Sequence, residues 1–183
     1  MTRSVYIASP EGRVGKSAIA LGLIESLARE VGSVGVFRPI VKDLVNDQIT
    51  RSLIDQPAID QTMEESVGIS YEQLHADPDE AMGTIVGKYN DLAARKEAMV
   101  VLGSDYTDVS SPLELTFNAR IAANLNTPVI LVVRGKNKTV DEIGRSAAMA
   151  LSELRNNHAG ALAVMATRWP EQQLDAIRAE LDR

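Results

Sequence analysis

The sequence predicts an α/β fold, a parallel sheet with helices on both faces. Three observations predict it. Short apolar runs alternate along the chain with segments of helical period. The runs are apolar throughout rather than alternately apolar and polar, as in strands buried on both faces. The 183 residues are 45% hydrophobic but only 4% aromatic, so the core must be built from Val, Ile, Leu, Ala and Met. That length suits one domain. No linker, repeat or low-complexity stretch divides residues 1–183.

The elements follow in order. Ser4–Ala8 reads as a buried strand. Lys16 to about Arg29 reads as a helix, with Ile19, Leu23, Ile24 and Leu27 at helical spacing and Gly32 closing it. Val34–Phe37 is a second strand. Between Arg38 and Asp77 the pattern is weak; Asp47–Ile54 gives a short helix and Tyr71–His75 a helical turn. Pro78 to about Arg95 is a helix with proline at its first turn, where a missing N–H costs nothing. The acidic run Asp77–Glu80 suits a helix N-terminus. Ala98–Leu102 is the third strand. Ser111-Pro112 opens a helix whose core stripe is Leu113, Phe117, Ile121 and Leu125. Pro128–Val133 is the fourth strand. Thr139 and Glu142 fit a capping box for a helix to about Arg155. Gly160–Ala166 is the fifth strand and Glu171–Leu181 the last helix. Met149 and Met165 read as core filler, and Trp169 as a packing anchor.

Several function classes are excluded or disfavoured at once. Acidic residues outnumber basic ones, 25 to 19, for a formal charge of -6, and no Lys/Arg stripe offers a nucleic-acid surface. The chain has no cysteine, which removes disulfides, thiolate metal sites and cysteine nucleophiles. Its two histidines, His75 and His158, lack ligand spacing. The N-terminus has no signal-peptide pattern, and no stretch approaches the ~20 apolar residues of a membrane span. The expectation is a soluble cytoplasmic protein with no membrane or nucleic-acid partner.

The chemistry concentrates between the first strand and first helix, in Ser9-Pro10-Glu11-Gly12-Arg13-Val14-Gly15-Lys16-Ser17. Glycines let backbone N–H groups turn inward around phosphate oxygens. A helix start adds unpaired donors and a partial positive charge. Lys16 would reach the terminal phosphates and the Ser17 hydroxyl would hold Mg²⁺. Gly12, Arg13, Val14, Gly15, Lys16 and Ser17 are therefore the candidate phosphate-binding residues, and the fold is expected to be P-loop NTPase-like. The common spacing is Gly-x4-Gly-Lys-Ser/Thr. Here Pro10 stands at the first glycine position and has no N–H to donate. Glu11 stands where the deviant loops of partitioning ATPases carry a lysine.

Read together, these segments resemble the dethiobiotin synthetase-like P-loop domain, and look closest to the copy at the N-terminus of long-form phosphate acetyltransferases. The resemblance rests on Ile7–Ser17, Val34–Ile40, Val101–Asp108, and Asn118–Leu125 leading to Pro128–Arg134. It covers nearly all of the chain. The segments Phe37-Arg38-Pro39-Ile40 and Gly103-Ser104-Asp105-Tyr106-Thr107-Asp108 carry the narrower assignment. In those enzymes a separate C-terminal domain transfers the acetyl group between acetyl-CoA and phosphate. The resemblance implies that this chain regulates, or supports homo-oligomer assembly, and is not itself catalytic.

The synthetase pattern is altered at three points. Its third strand ends in Glu-Gly, with the glutamate on Mg²⁺; here the pair is Leu102-Gly103, and leucine offers a hard cation no oxygen. Asp105 is a substitute metal ligand or a turn residue beside Ser104. The asparagine that reads adenine is replaced by Thr167, before Arg168; a hydroxyl lacks an amide's paired donor and acceptor. Lys-Pro after the second strand becomes Arg38-Pro39, where Arg38 either grips an anion or caps the sheet end through a salt bridge. Asp105 with Asp108 could form an acid/base pair, or simply solvate a loop. The implied site is a degenerate one for ATP and Mg²⁺, using the loop, Arg38 and Thr167, with Ser17 and Asp105 toward the metal. The alternative is a free-standing ATP-dependent ligase of the dethiobiotin synthetase type.

Overall fold

The computed structural model describes residues 2–104 and 113–182. Six strands form one sheet: β1 (Arg3–Ala8), β2 (Val34–Val41), β3 (Val67–Ser70), β4 (Ala98–Leu102), β5 (Val129–Arg134) and β6 (Ala161–Thr167). Their order is β3-β2-β4-β1-β5-β6. Each of the pairs β2–β3, β2–β4 and β5–β6 is parallel. The helices are α1 (Lys16–Leu27), α2 (Gln48–Ile54), α3 (Met63–Ser66), α4 (Tyr71–Ala76), α5 (Pro78–Ala93), α6 (Leu113–Asn124), α7 (Val140–Asn156) and α8 (Leu174–Leu181). The structure divides into two compact units, Met1–Tyr6 with Ser17–Ser104, and Ile7–Lys16 with Asp105–Arg183.

In the first unit, α5 packs on β2 and β3, and α4 on β3. β2 and β4 are buried along their whole length. The second strand outruns its sequence reading. It continues through Arg38-Pro39 to Val41 because β3 pairs with it from Arg38 onward. β3 itself, Val-Gly-Ile-Ser, is too short to show a period. Gly68 is required there: a Cβ would stand 2.3 Å from the Pro39 carbonyl oxygen. Before β3 begins, the Gln61 amide acts as a stand-in strand. It accepts from Val36 N (2.8 Å) and donates to Val36 O (3.0 Å), closing the β2 edge.

Side-chain caps start the helices where predicted, and at two further places. Asp47 accepts from Thr50 N at the head of α2. Asp77 accepts from Asp79 N and Glu80 N at α5, with Pro78 in the first turn. Thr139 and Glu142 form the predicted capping box of α7. Thr62 with Glu65, and Ser70 with Gln73, form boxes for α3 and α4.

In the second unit α7 covers β5 and β6, and α8 packs on α7. Three expectations are corrected. Of the predicted α6 stripe, Ile121 and Leu125 are buried, joined by Leu115, Asn118, Ala119 and Ala122; Phe117 is only half-buried, and the Leu113 side chain lies outside the described residues. Met149 and Met165 are not core: they are 75% and 40% exposed. β6, apolar in sequence, is largely exposed, unlike β5 beside it. The Ser111-Pro112 helix start lies outside the described residues, as do Asp105 and Asp108.

Candidate functional site

The loop after β1 carries the candidate site. Ser9, almost fully buried, folds its start: the Ser9 hydroxyl donates to Glu11 O (2.8 Å) and accepts from Glu11 N (3.1 Å). Two early donors are thereby unavailable to a phosphate, since Pro10 has no N–H and that of Glu11 is engaged. Further on, Arg13 has φ 57 and Gly15 φ 91, with Val14 between them at ordinary negative φ. Such alternation turns successive N–H groups toward one side, the geometry of an anion-binding concavity. Gly15 is the residue that tolerates its φ; Arg13 holds a left-handed conformation at a strain of about 1–2 kcal/mol. Lys16 follows as the first residue of α1 and is 3% exposed. Ser17, next along, is half-buried.

Two other segments of the same unit hold this loop. The Thr167 hydroxyl, at the end of β6, donates to Val14 O at 2.7 Å. The sequence-predicted base-reading position therefore lies against the loop backbone, engaged with it. Lys138, which precedes α7, pairs with Glu11 at 2.6 Å and donates to Ser146 at 3.2 Å. Sequence reasoning missed Lys138, because 127 residues separate it from Glu11 and it belongs to no spacing pattern. A cleft of about 330 Å³ opens here, with Pro10, Glu11, Lys138, Ser146, Met149 and Glu153 among its walls.

In the first unit Arg38 is 5% exposed and pairs with Asp47 at 2.6 Å. The same Asp47 oxygen accepts from Thr50 N and Thr50 Oγ1, each at 2.7 Å. The Arg38 salt bridge ties β2 to the head of α2. At the carboxyl end of β4 stands Leu102, 2% exposed.

The chemistry of this donor set fits a phosphate. Glycine-turned amides, a helix start and a lysine are phosphate ligands. Among the described residues no group of three or more His, Cys, Asp or Glu lies together as a metal cluster. Asp105 lies outside the described residues. Thr167 already spends its hydroxyl proton on the loop.

A glycine-containing loop that leaves a strand of a parallel sheet and enters a helix at Lys-Ser defines a P-loop NTPase-like α/β protein. Sequence comparison gives the family: the AAA domain profile matches residues 3–182, and the chain belongs to that family. The chain is 28% identical to the phosphate acetyltransferase of Synechocystis sp., over 100% of its own length and 27% of that protein. It is 28% identical to the phosphate acetyltransferase of Nitratidesulfovibrio vulgaris, over 84% of its length and 23% of that protein. It thus spans about a quarter of these relatives. Solved structures share the fold at low identity. The BceF tyrosine kinase domain superposes with TM-score 0.59 at 18% identity, covering 92% of this chain and 69% of that one. A ParA family ATPase from Chlorobium tepidum gives TM-score 0.59 at 14% identity, covering 100% and 82%. The resemblance drawn from the loop, Phe37–Ile40 and Gly103–Asp108 is borne out. No helix among the described residues is long and apolar enough to cross a membrane.

Proposed function

We propose that residues 1–183 act as a single P-loop domain at the N-terminus of a longer cytoplasmic phosphate acetyltransferase, where it regulates or assembles the enzyme through a degenerate nucleotide site. The observation that carries this reading is the match along the whole chain to about a quarter of two phosphate acetyltransferases. The acetyl transfer between acetyl-CoA and phosphate then belongs to a C-terminal domain of the same polypeptide, and the assembly is a homo-oligomer. The engaged Glu11 amide, the proline at position 10 and the leucine at 102 support the degenerate site. Gly12 to Ser17 would meet a phosphate. Arg38, held by Asp47, and Thr167, held on Val14, would add little.

Two experiments test the reading. The purified chain, given acetyl-CoA and phosphate, is expected to form no acetyl phosphate; robust formation would overturn the assignment of roles. Isothermal titration with ATP, ADP and GTP, each with and without Mg²⁺, is expected to give weak binding with little base selectivity. Micromolar, magnesium-dependent, adenine-selective binding would instead favour the dethiobiotin synthetase-like ligase.

A further inference from the structure

Three short segments of the second unit meet at the carboxyl ends of β5 and β6. Gly135 N donates to Thr167 O at 2.7 Å, and a Cβ on Gly135 would stand 2.8 Å from that of Trp169. The Thr167 hydroxyl joins both to Val14. Residues 12–16, 134–138 and 167–170 hold Arg13, Lys16, Arg134, Lys136, Lys138 and Arg168, six of the chain's 19 basic residues, and no carboxylate. Glu11 neutralises Lys138. Arg13, Arg134, Lys136 and Arg168 each stand one residue from a contact that joins the segments, and among the described residues no hydrogen bond or ion pair engages their side chains. Arg13, Lys136 and Arg168 are exposed; Arg134 is half-buried, and its Nε is buried without a hydrogen-bond partner. Arg13 and Arg168 also hold positive φ, 57 and 56. Glycine is relaxed there and arginine is not. Strain of this kind points to function, and a side chain that makes no bond to the fold has its charge to contribute.

We propose that these cations form a second anion subsite beside the loop, so that the site takes a small molecule with phosphate at two separated positions. One phosphate meets the loop amides; the other meets Arg134, Lys136 and Arg168. This rests on the degenerate nucleotide site above and names the ligand class that the site selects. Guanidinium forks grip phosphate oxygens in pairs, and unpaired cations in a chain of net charge -6 gather anions locally. The loop amides and the cations lie on different segments. A contiguous diphosphate therefore fills one subsite, and a spaced pair fills both. The ligand is compact rather than a nucleic-acid strand. Exposed Asp141 and Glu142 follow Lys138 within four residues, and exposed Glu171 follows Arg168 within three. These carboxylates repel phosphates that run on past the patch.

The test is isothermal titration of the whole chain with adenosine 3′,5′-bisphosphate and with ADP, which carries the same number of phosphates contiguously. Two variants are titrated beside it. Arg168→Gly removes a charge and relieves the backbone, so its Tm is expected to hold or rise. Lys136→Gln removes an exposed charge and alters no backbone group. The native chain is expected to bind the bisphosphate roughly tenfold tighter than ADP, as for one added charge-assisted hydrogen bond. Each variant is expected to narrow that gap. Should Arg168→Gly fail to fold, Lys136→Gln decides. Equal affinity for the two ligands in the native chain, or a gap that persists in the folded variants, refutes the subsite and leaves the degenerate-site reading intact. Micromolar, adenine-selective binding of Mg·ATP with no such gap refutes both. A short DNA duplex bound more tightly than the bisphosphate overturns the proposal in favour of a nucleic-acid surface.

Discussion

Thr167→Val removes one hydroxyl and keeps the shape of the side chain. The lost bond runs from Thr167 Oγ1 to Val14 O at 2.7 Å, and Val14 is fully buried. A neutral hydrogen bond contributes about 0.5–1.5 kcal/mol net, and a buried carbonyl left without its donor costs about 1–3 kcal/mol. The half-buried position of Thr167 admits some water, which favours the lower figures. We expect a loss of about 1–2 kcal/mol, a fall in Tm of roughly 2–8 °C for a chain of this size. Because the bond ends on the loop, the loss should be local as well as global. Amide hydrogen exchange at Gly12–Lys16 should quicken by about tenfold for each 1.4 kcal/mol. Thr167→Ser keeps the hydroxyl and should retain both Tm and protection. If valine and serine behave alike, the hydrogen bond does not hold the loop and the reasoning fails.

Arg38→Ala strips the partner from an Asp47 carboxylate whose side chain is 14% exposed. Urea denaturation should show a loss of about 3 kcal/mol, and Asp47→Asn in the same chain should restore part of it by removing the stranded charge. Gln61→Leu deprives both Val36 backbone groups of their partner. We expect a loss of about 2–4 kcal/mol, read by calorimetry; a change below about 0.5 kcal/mol would mean that water replaces the amide. Acid should destabilise the fold in a defined direction. The Thr139 backbone N–H holds the Glu142 carboxyl below its usual range, and the Thr62 N–H, then Arg95, do the same for Glu65. With folded values depressed, the unfolded chain binds more protons, so this stability is present above about pH 4.3 and is lost as pH falls through the folded values. A Glu65→Gln, Glu142→Gln double variant should flatten the acid side of the Tm–pH curve.

The sequence made local features legible and hid those that depend on distant neighbours. The loop, the caps at Asp77 and Thr139, and the buried strands follow from residue types within a few positions of each other. The boxes Thr62–Glu65 and Ser70–Gln73 were equally readable, but they flank helices of four and six residues, too short to show a period. β3 shares that defect. β6 misled for another reason. Hydropathy reports what a strand can bury, not how fully its neighbours cover it, and Leu162 and Met165 lie on an edge strand and stay largely exposed beside α7 and β5. Lys138 was invisible because its role exists only once α7 sits beside the loop.

On the proposed reading, the same contacts let the P-loop keep its shape without tight nucleotide binding. In this chain protein groups hold the loop at three places: Ser9 at Glu11, Lys138 at Glu11, and Thr167 at Val14. Its conformation does not wait on a phosphate to organise it. A ligand that binds only the folded state raises stability by RT ln(1 + [L]/Kd), so weak binding leaves a small trace. With Kd near 1 mM, ATP at the same concentration adds about 0.4 kcal/mol and moves Tm by only about 1–2 °C. Releasing the loop should not improve this. Lys138→Ala removes a partly exposed ion pair, worth at most about 1 kcal/mol, and leaves Pro10 and Leu102 in place. Differential scanning fluorimetry of the native chain and of Lys138→Ala, with and without Mg·ATP, reads both effects. A shift above about 5 °C in the native chain would require binding far tighter than a degenerate site allows. A large shift only in Lys138→Ala would mean that the ion pair, rather than the missing ligands, is what closes the site.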